Sequence, residues 1–203
     1  KPMMPIGKFT ILEIVIKQLR FYGFKHITIT VNDQVKLIKA FFGNGSKFNT
    51  HIDYAFEKKP LGTMGPLKTI KDLPKNFLVL NGDVLTDLNF HKFHAHHIKN
   101  NNLFTISSYK RMELIDYGLL ETNKKNSLIK FIEKPKKTYK MSMGVYMLKK
   151  DILKYIPKEK HFGFDNLMYK LLKLKKRINV KPHNGYWLDI GRPNDYILAT
   201  EQF

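Results

Sequence analysis

Asp83 follows Phe77-Leu78-Val79-Leu80 and Asn81-Gly82, so a carboxylate stands at the carboxyl end of a continuous apolar run. Such a run reads as a strand covered on both faces, and ligands of open α/β sheets bind beyond the carboxyl ends of their strands. A short, hard carboxylate there suits magnesium better than zinc. Asn-Gly-Asp is also ordinary turn chemistry, which by itself explains the residue without any ligand. A second aspartate of the same style shifts that balance. Trp187-Leu188-Asp189-Ile190-Gly191 again ends an apolar run on a carboxylate, just before a helix opened by Pro193. Two such aspartates can share one divalent ion, as phosphoryl and nucleotidyl transfer require. The competing role for Asp189 is the cap of that helix, a task open equally to Asn194.

Other residue groups carry weaker chemistry. Leu61-Gly62-Thr63-Met64-Gly65-Pro66-Leu67 is a glycine-bearing loop running into a helix, where small residues and unpaired N–H groups admit a base or phosphate. Glu133-Lys134-Pro135 closes a strand with an acid for hydroxyl hydrogens and a cation for a phosphate, although such a pair is by default a surface feature. His91, His94 and His97, with His96 between, have helical spacing. No carboxylate completes a metal set with them, so a solvated helix face is expected. There is no Walker loop and no G-x-S-x-G elbow. The absence of cysteine excludes thiolate metal sites, disulfides and cysteine nucleophiles.

The elements that must hold these residues alternate between strand and helix, the pattern of an α/β domain. Helices are predicted over 10–22, with Thr10 and Glu13 as a capping pair and Gly23 as the stop, then over about 35–42, within 62–71 and over 89–99. Further helices are predicted over 165–175 and after Pro193. Strands are predicted over 26–31, 51–56 and 77–80. The second half is richer in strands, at 103–109, 117–121, 128–133, 141–148, 178–182 and 186–188. The reading is one domain of 203 residues, with residues 1–100 as a nucleotide-binding half and 101–203 as a β-rich half.

Lys and Arg total 36 against 17 acids, for a net charge of +19. Only Arg20, Arg111, Arg177 and Arg192 are arginines, and the lysines are dispersed, so a dedicated nucleic-acid partner is not expected. Scattered lysine instead suits anionic small substrates. No run approaches the roughly 20 apolar residues of a membrane span, and a cytoplasmic protein is expected.

Taken in order, these segments resemble the sugar-1-phosphate nucleotidyltransferases. The matching pieces are Lys1-Pro2-Met3-Met4-Pro5-Ile6-Gly7, Ile11-Leu12-Glu13 with Gly23-Phe24, Pro60–Leu67, Asn81-Gly82-Asp83, Glu133-Lys134-Pro135, Met143-Gly144-Val145-Tyr146 and Gly185–Gly191. Within that family the loop and the Trp-Leu-Asp-Ile-Gly-Arg ending look most like guanylyltransferases of mannose-, heptose- or hexosamine-type 1-phosphates. The resemblance implies a Rossmann-like α/β fold, a mixed, mostly parallel sheet flanked by helices, with a β-rich sugar-binding part. It implies a GTP-favouring, magnesium-dependent condensation of nucleoside triphosphate with sugar 1-phosphate for glycan precursor synthesis, in an enzyme that can form a homo-oligomer.

Residue by residue, the resemblance gives Lys1 a contact to the nucleotide phosphates and Gly62, Thr63 and Gly65 the reading of the base. Asp83 and Asp189 become the magnesium ligands. Tyr117 and Gly118 line the sugar site, Glu133 holds sugar hydroxyls, Lys134 meets the sugar phosphate and Gly144 offers a backbone contact. Family members begin with a strand and a Gly-x-Gly-Thr-Arg loop, whereas this sequence starts just after that loop should end. A fragment of a longer polypeptide is therefore expected, and a non-catalytic subunit built on the same domain is the alternative.

Overall fold

The computed structural model describes residues 1–31, 35–57 and 59–202. Two short strands, β1 (Pro5–Ile6) and β2 (Phe9–Thr10), form a hairpin that leads into helix α1 (Ile11–Phe21). Thr10 Oγ1 accepts the Glu13 N–H at 3.2 Å, one half of the expected capping pair. The Glu13 carboxylate turns instead to Lys17, 2.9 Å away one helical turn on. The apolar face of α1 buries Ile11, Val15 and Leu19. Strand β3 (His26–Val31) follows, then α2 (Val35–Phe42) and β4 (His51–Phe56), which pairs with β3 in parallel.

The main sheet has four strands in the order β11-β7-β10-β5, namely β11 (Asn179–His183), β7 (Phe104–Leu114), β10 (Lys136–Lys149) and β5 (Asn76–Leu80). The β11·β7 ladder is parallel and both β10 ladders are antiparallel. Two further pairs complete the strands: β6 (Val84–Thr86) with β12 (Trp187–Asp189), and β8 (Leu119–Thr122) with β9 (Leu128–Ile132), both antiparallel. The fold is thus a mixed α/β arrangement, as expected, although its parallel share, β3·β4 and β11·β7, is smaller than the resemblance implies. Helices α3 (Phe90–Lys99), α4 (Phe164–Lys173) and α5 (Pro193–Gln202) fall close to the predicted helical segments.

The fully buried Phe90 and Phe93 of α3 join Met143, Val145 and Met147 of β10 in one apolar cluster. A second cluster surrounds Phe104, Leu148, Leu167 and Leu171. Truncating Phe90 or Phe104 to alanine costs about 3–5 kcal/mol on general grounds.

Two local expectations fail for identifiable reasons. The segment 62–71 holds only a 3-10 turn over Gly65–Lys68. Pro66 lacks an N–H, and the Met64 and Gly65 amides donate to Phe162 O rather than to a helix. The histidine helix is not a uniformly solvated face either. His97 is fully buried with Nδ1 2.8 Å from Thr105 Oγ1, and burial pushes its pKa down to about 4.

Candidate active site

Strand β5 ends at Leu80, and Asn81 donates its N–H to Gly144 O at 2.9 Å. Gly144 has φ +73° at an irregularity of the β10·β7 ladder, and a β-carbon there would meet Asn81 Nδ2 at 2.8 Å. Glycine is therefore required for β10 to bend close under the Asn81-Gly82-Asp83 turn.

Asp83 and Asp189, far apart in sequence, are brought together by the short β6·β12 ladder. Val84, the residue after Asp83, pairs with Asp189, and Ile190 donates its N–H to Asp83 O at 2.9 Å. The side chains converge as well. A β-carbon built on Gly191 would lie 2.9 Å from Asp189 Oδ1, 3.2 Å from Asp83 Oδ2 and 3.2 Å from Lys1 Nζ. Two carboxylates and an ammonium thus crowd one small volume. Burial pushes the Asp83 carboxyl above its ordinary range, and the Asp189 charge pushes it further, against the pull of Lys1.

Asp189 is itself tightly held. Its Oδ1 accepts the Gly191 N–H at 3.0 Å, and its own N–H donates to Asp195 Oδ2 at 3.0 Å. Asp195, almost wholly buried in the first turn of α5, receives a two-pronged guanidinium contact from Arg111 at 2.6 and 2.9 Å. Neither Asp195 nor Arg111 is evident as a site residue from sequence, because nothing local marks a contact that spans the chain. Asp189 makes an Asx turn rather than a simple helix cap.

A cavity of about 590 Å³ opens from Asp83 along β5 toward β3. Consecutive residues from Asn76 to Leu80 line it, so β5 presents its edge, since residues of both pleat faces reach the same space. His26, Ile27, Thr28 and Thr30 line the opposite side. Among the described residues β5 pairs only with β10 and β3 only with β4, which leaves a free strand edge on each side of the cavity.

Gly62 and Thr63 line this cavity with Asp83. Gly65 does not, being buried with its amide bonded to Phe162 O at 2.9 Å. At both glycines an added β-carbon would collide with the 160–162 segment, at 3.0 Å from Phe162 O for Gly62 and from Lys160 O for Gly65. Their smallness first serves the docking of this loop onto its neighbour.

Tyr117, Gly118, Glu133 and Lys134 lie outside the cavity, at one end of the exposed β8·β9 ladder. They do meet one another: a β-carbon on Gly118 would approach Glu133 Oε2 at 3.1 Å, and Lys134 Nζ pairs with Asp116 at 2.9 Å. Arg192 reaches Glu113 of β7 at 3.6 Å, linking the Asp189 turn to the strand that runs up to this group.

The chain as a whole is similar to known proteins. The nucleotidyl transferase family matches residues 1–203. The D-glycero-alpha-D-manno-heptose 1-phosphate guanylyltransferase of Campylobacter jejuni is 33% identical over 202 residues, covering 97% of this chain and 87% of that protein. A UTP–glucose-1-phosphate uridylyltransferase of Synechocystis is 29% identical over 98% of this chain, which spans 56% of the relative's length. HddC from Yersinia pseudotuberculosis, solved in complex with GMP-PN, superposes with a TM-score of 0.74 at 26% identity, covering all of this chain and 89% of that one. A whole-length match, a shared fold and converging carboxylates on a β6·β12 ladder lead to one assignment: the chain belongs to the nucleotidyl transferase family.

Proposed function

We propose that the protein condenses a nucleoside triphosphate, GTP in preference, with a sugar 1-phosphate of mannose, heptose or hexosamine type. The products are a nucleotide-sugar and pyrophosphate. A phosphate oxygen of the sugar 1-phosphate attacks the α-phosphorus in line, a new P–O bond forms, and the bond to the bridging oxygen breaks to release pyrophosphate. No covalent enzyme intermediate is required, so the protein's part is alignment and charge compensation.

The convergence of Asp83, Asp189 and Lys1 around one point carries this reading. Magnesium fits the donors there: hard carboxylate oxygens, one of them disfavoured as an anion until a cation arrives. When bound, it would supply positive charge to the phosphates between Asp83 and Asp189. Lys1 offsets the approaching triphosphate, and the Gly62-Thr63 edge of the cavity faces the base. Glu133 and Lys134, beside Tyr117 and Gly118, receive the sugar hydroxyls and phosphate, with Gly144 contributing its backbone. Among the described residues no helix is long and apolar enough to cross a membrane. A cytoplasmic role in glycan precursor supply belongs to the same reading, since nucleoside triphosphates are its substrates.

The test is pyrophosphate release from each nucleoside triphosphate paired with each candidate sugar 1-phosphate, with and without magnesium. GTP with one of the named sugars should be fastest, and chelation should abolish turnover. Equal rates for all bases refute the guanine preference, and no release from any pair refutes the reaction.

A further inference from the structure

Away from that site, three potential ligands meet on the β3·β4 pair. The two strands are parallel and in register, with His26 opposite His51 and Thr28 opposite Asp53. Side chains two residues apart share a face, so His51 and Asp53 stand together on β4, beside His26 on β3. The Asp53 carboxylate spans both imidazoles, Oδ2 2.6 Å from His26 Nε2 and Oδ1 3.2 Å from His51 Nε2. The two rings are 5.1 Å apart, and one ligand atom from each of the three residues lies within 4.8 Å of the others. All three side chains are more than half exposed, so an ion reaches them without any rearrangement of the core.

We propose that His26, His51 and Asp53 form a binding site for a divalent cation of the zinc class, distinct from the Asp83–Asp189 centre. Two imidazole nitrogens and one carboxylate oxygen are a zinc-type donor set, whereas magnesium prefers oxygen alone. Zinc bonds of about 2.0–2.1 Å put tetrahedral ligand atoms roughly 3.4 Å apart. The three ligand atoms, within 4.8 Å of one another, therefore shift by roughly 1.4 Å at most relative to one another, a change within reach of exposed side chains on a fixed ladder. Water completes the fourth position. The ion ties the first residues of two strands together, and because His26 also borders the cavity, it stiffens one wall of that space.

Calorimetric titration of Zn²⁺ into the full chain at neutral pH, with excess Mg²⁺ in cell and syringe, tests the site directly. One equivalent should bind, with affinity falling at least about ten-fold in His51→Ala and in Asp53→Asn. Asp83→Asn should bind zinc as the parent does. Visible absorption of the Co²⁺-loaded protein gives a second readout that does not depend on affinity: tetrahedral bands should form in the parent and vanish in His26→Ala. No binding by the parent, equal binding by His51→Ala, or displacement by Mg²⁺ would each overturn the proposal. Circular dichroism matching the parent verifies that the surface variants remain folded.

Discussion

Gly191→Ala is a sharp probe of the carboxylate centre, because the added methyl would occupy the point on which Asp83, Asp189 and Lys1 converge. The backbone itself tolerates alanine, since Gly191 is not among the residues with positive φ. Outside its chain neighbours, the three atoms nearest the new carbon are Asp189 Oδ1 at 2.9 Å, Asp83 Oδ2 at 3.2 Å and Lys1 Nζ at 3.2 Å. The first is closer than a carbon and an oxygen settle in practice, so the oxygens must retreat by a few tenths of an ångström. Asp189 Oδ1 cannot swing away without giving up its bond to the Gly191 N–H, about 1 kcal/mol. Magnesium demands near-ideal octahedral geometry at about 2.0–2.1 Å, and reactive-centre misplacements approaching 1 Å can cost about 10²-fold. The expected result is a loss of turnover of about 10- to 100-fold, with weakened magnesium dependence. The melting temperature should stay near the parent's, since Gly→Ala at a compatible position is neutral or stabilising by about 0.4–1 kcal/mol. Pyrophosphate release across a magnesium series, with a thermal melt alongside, measures both. Parent-like turnover and magnesium dependence in a folded Gly191→Ala protein would refute the convergence as the seat of the chemistry.

Asp83→Asn should lose at least about 10²-fold in pyrophosphate release. It should also melt higher than the parent at pH 7 without magnesium: a carboxyl raised in the folded state stabilises only below its unfolded pKa and opposes folding as pH rises through the folded one, so the gap closes on acidification. His97 works in the other direction. Its depressed pKa of about 4 means stability present above about pH 6.5 is lost as pH falls toward 4, by an amount of order 3 kcal/mol, and urea melts of His97→Gln should show a shallower acid limb. Asp195→Asn should destabilise by about 3 kcal/mol, because it leaves Arg111 half-paired, and should slow turnover by loosening the Asp189 turn; denaturation and steady-state rates together check this.

The parts of the site that sequence reveals are those fixed by local rules. Asp83 and Asp189 are visible because each ends an apolar strand, and the glycine loop because glycine marks a turn. Most strands and helices are visible through their periods of 2 and 3.6. What stays hidden depends on register and burial. Nothing near Asp195 announces its partner Arg111 on β7. The His26–His51–Asp53 group exists only because β3 and β4 pair without a one-residue slip. The glycines at 62 and 65 look like a ligand-binding feature, yet their tight contacts are with the 160–162 backbone. Likewise the histidine spacing on α3 does not show that one of the rings turns inward to Thr105.

The three-residue β6·β12 ladder also bears on how the polypeptide acquires activity during synthesis. Its partners are separated by about a hundred positions, so closing that loop is entropically late and must await residues beyond 189 leaving the ribosome. Until then Asp83 sits on a growing chain with no matching acid. A nascent protein of this design folds its first helices and strands before Asp83 and Asp189 can meet, and brings the two carboxylates together only as β12 and α5 dock.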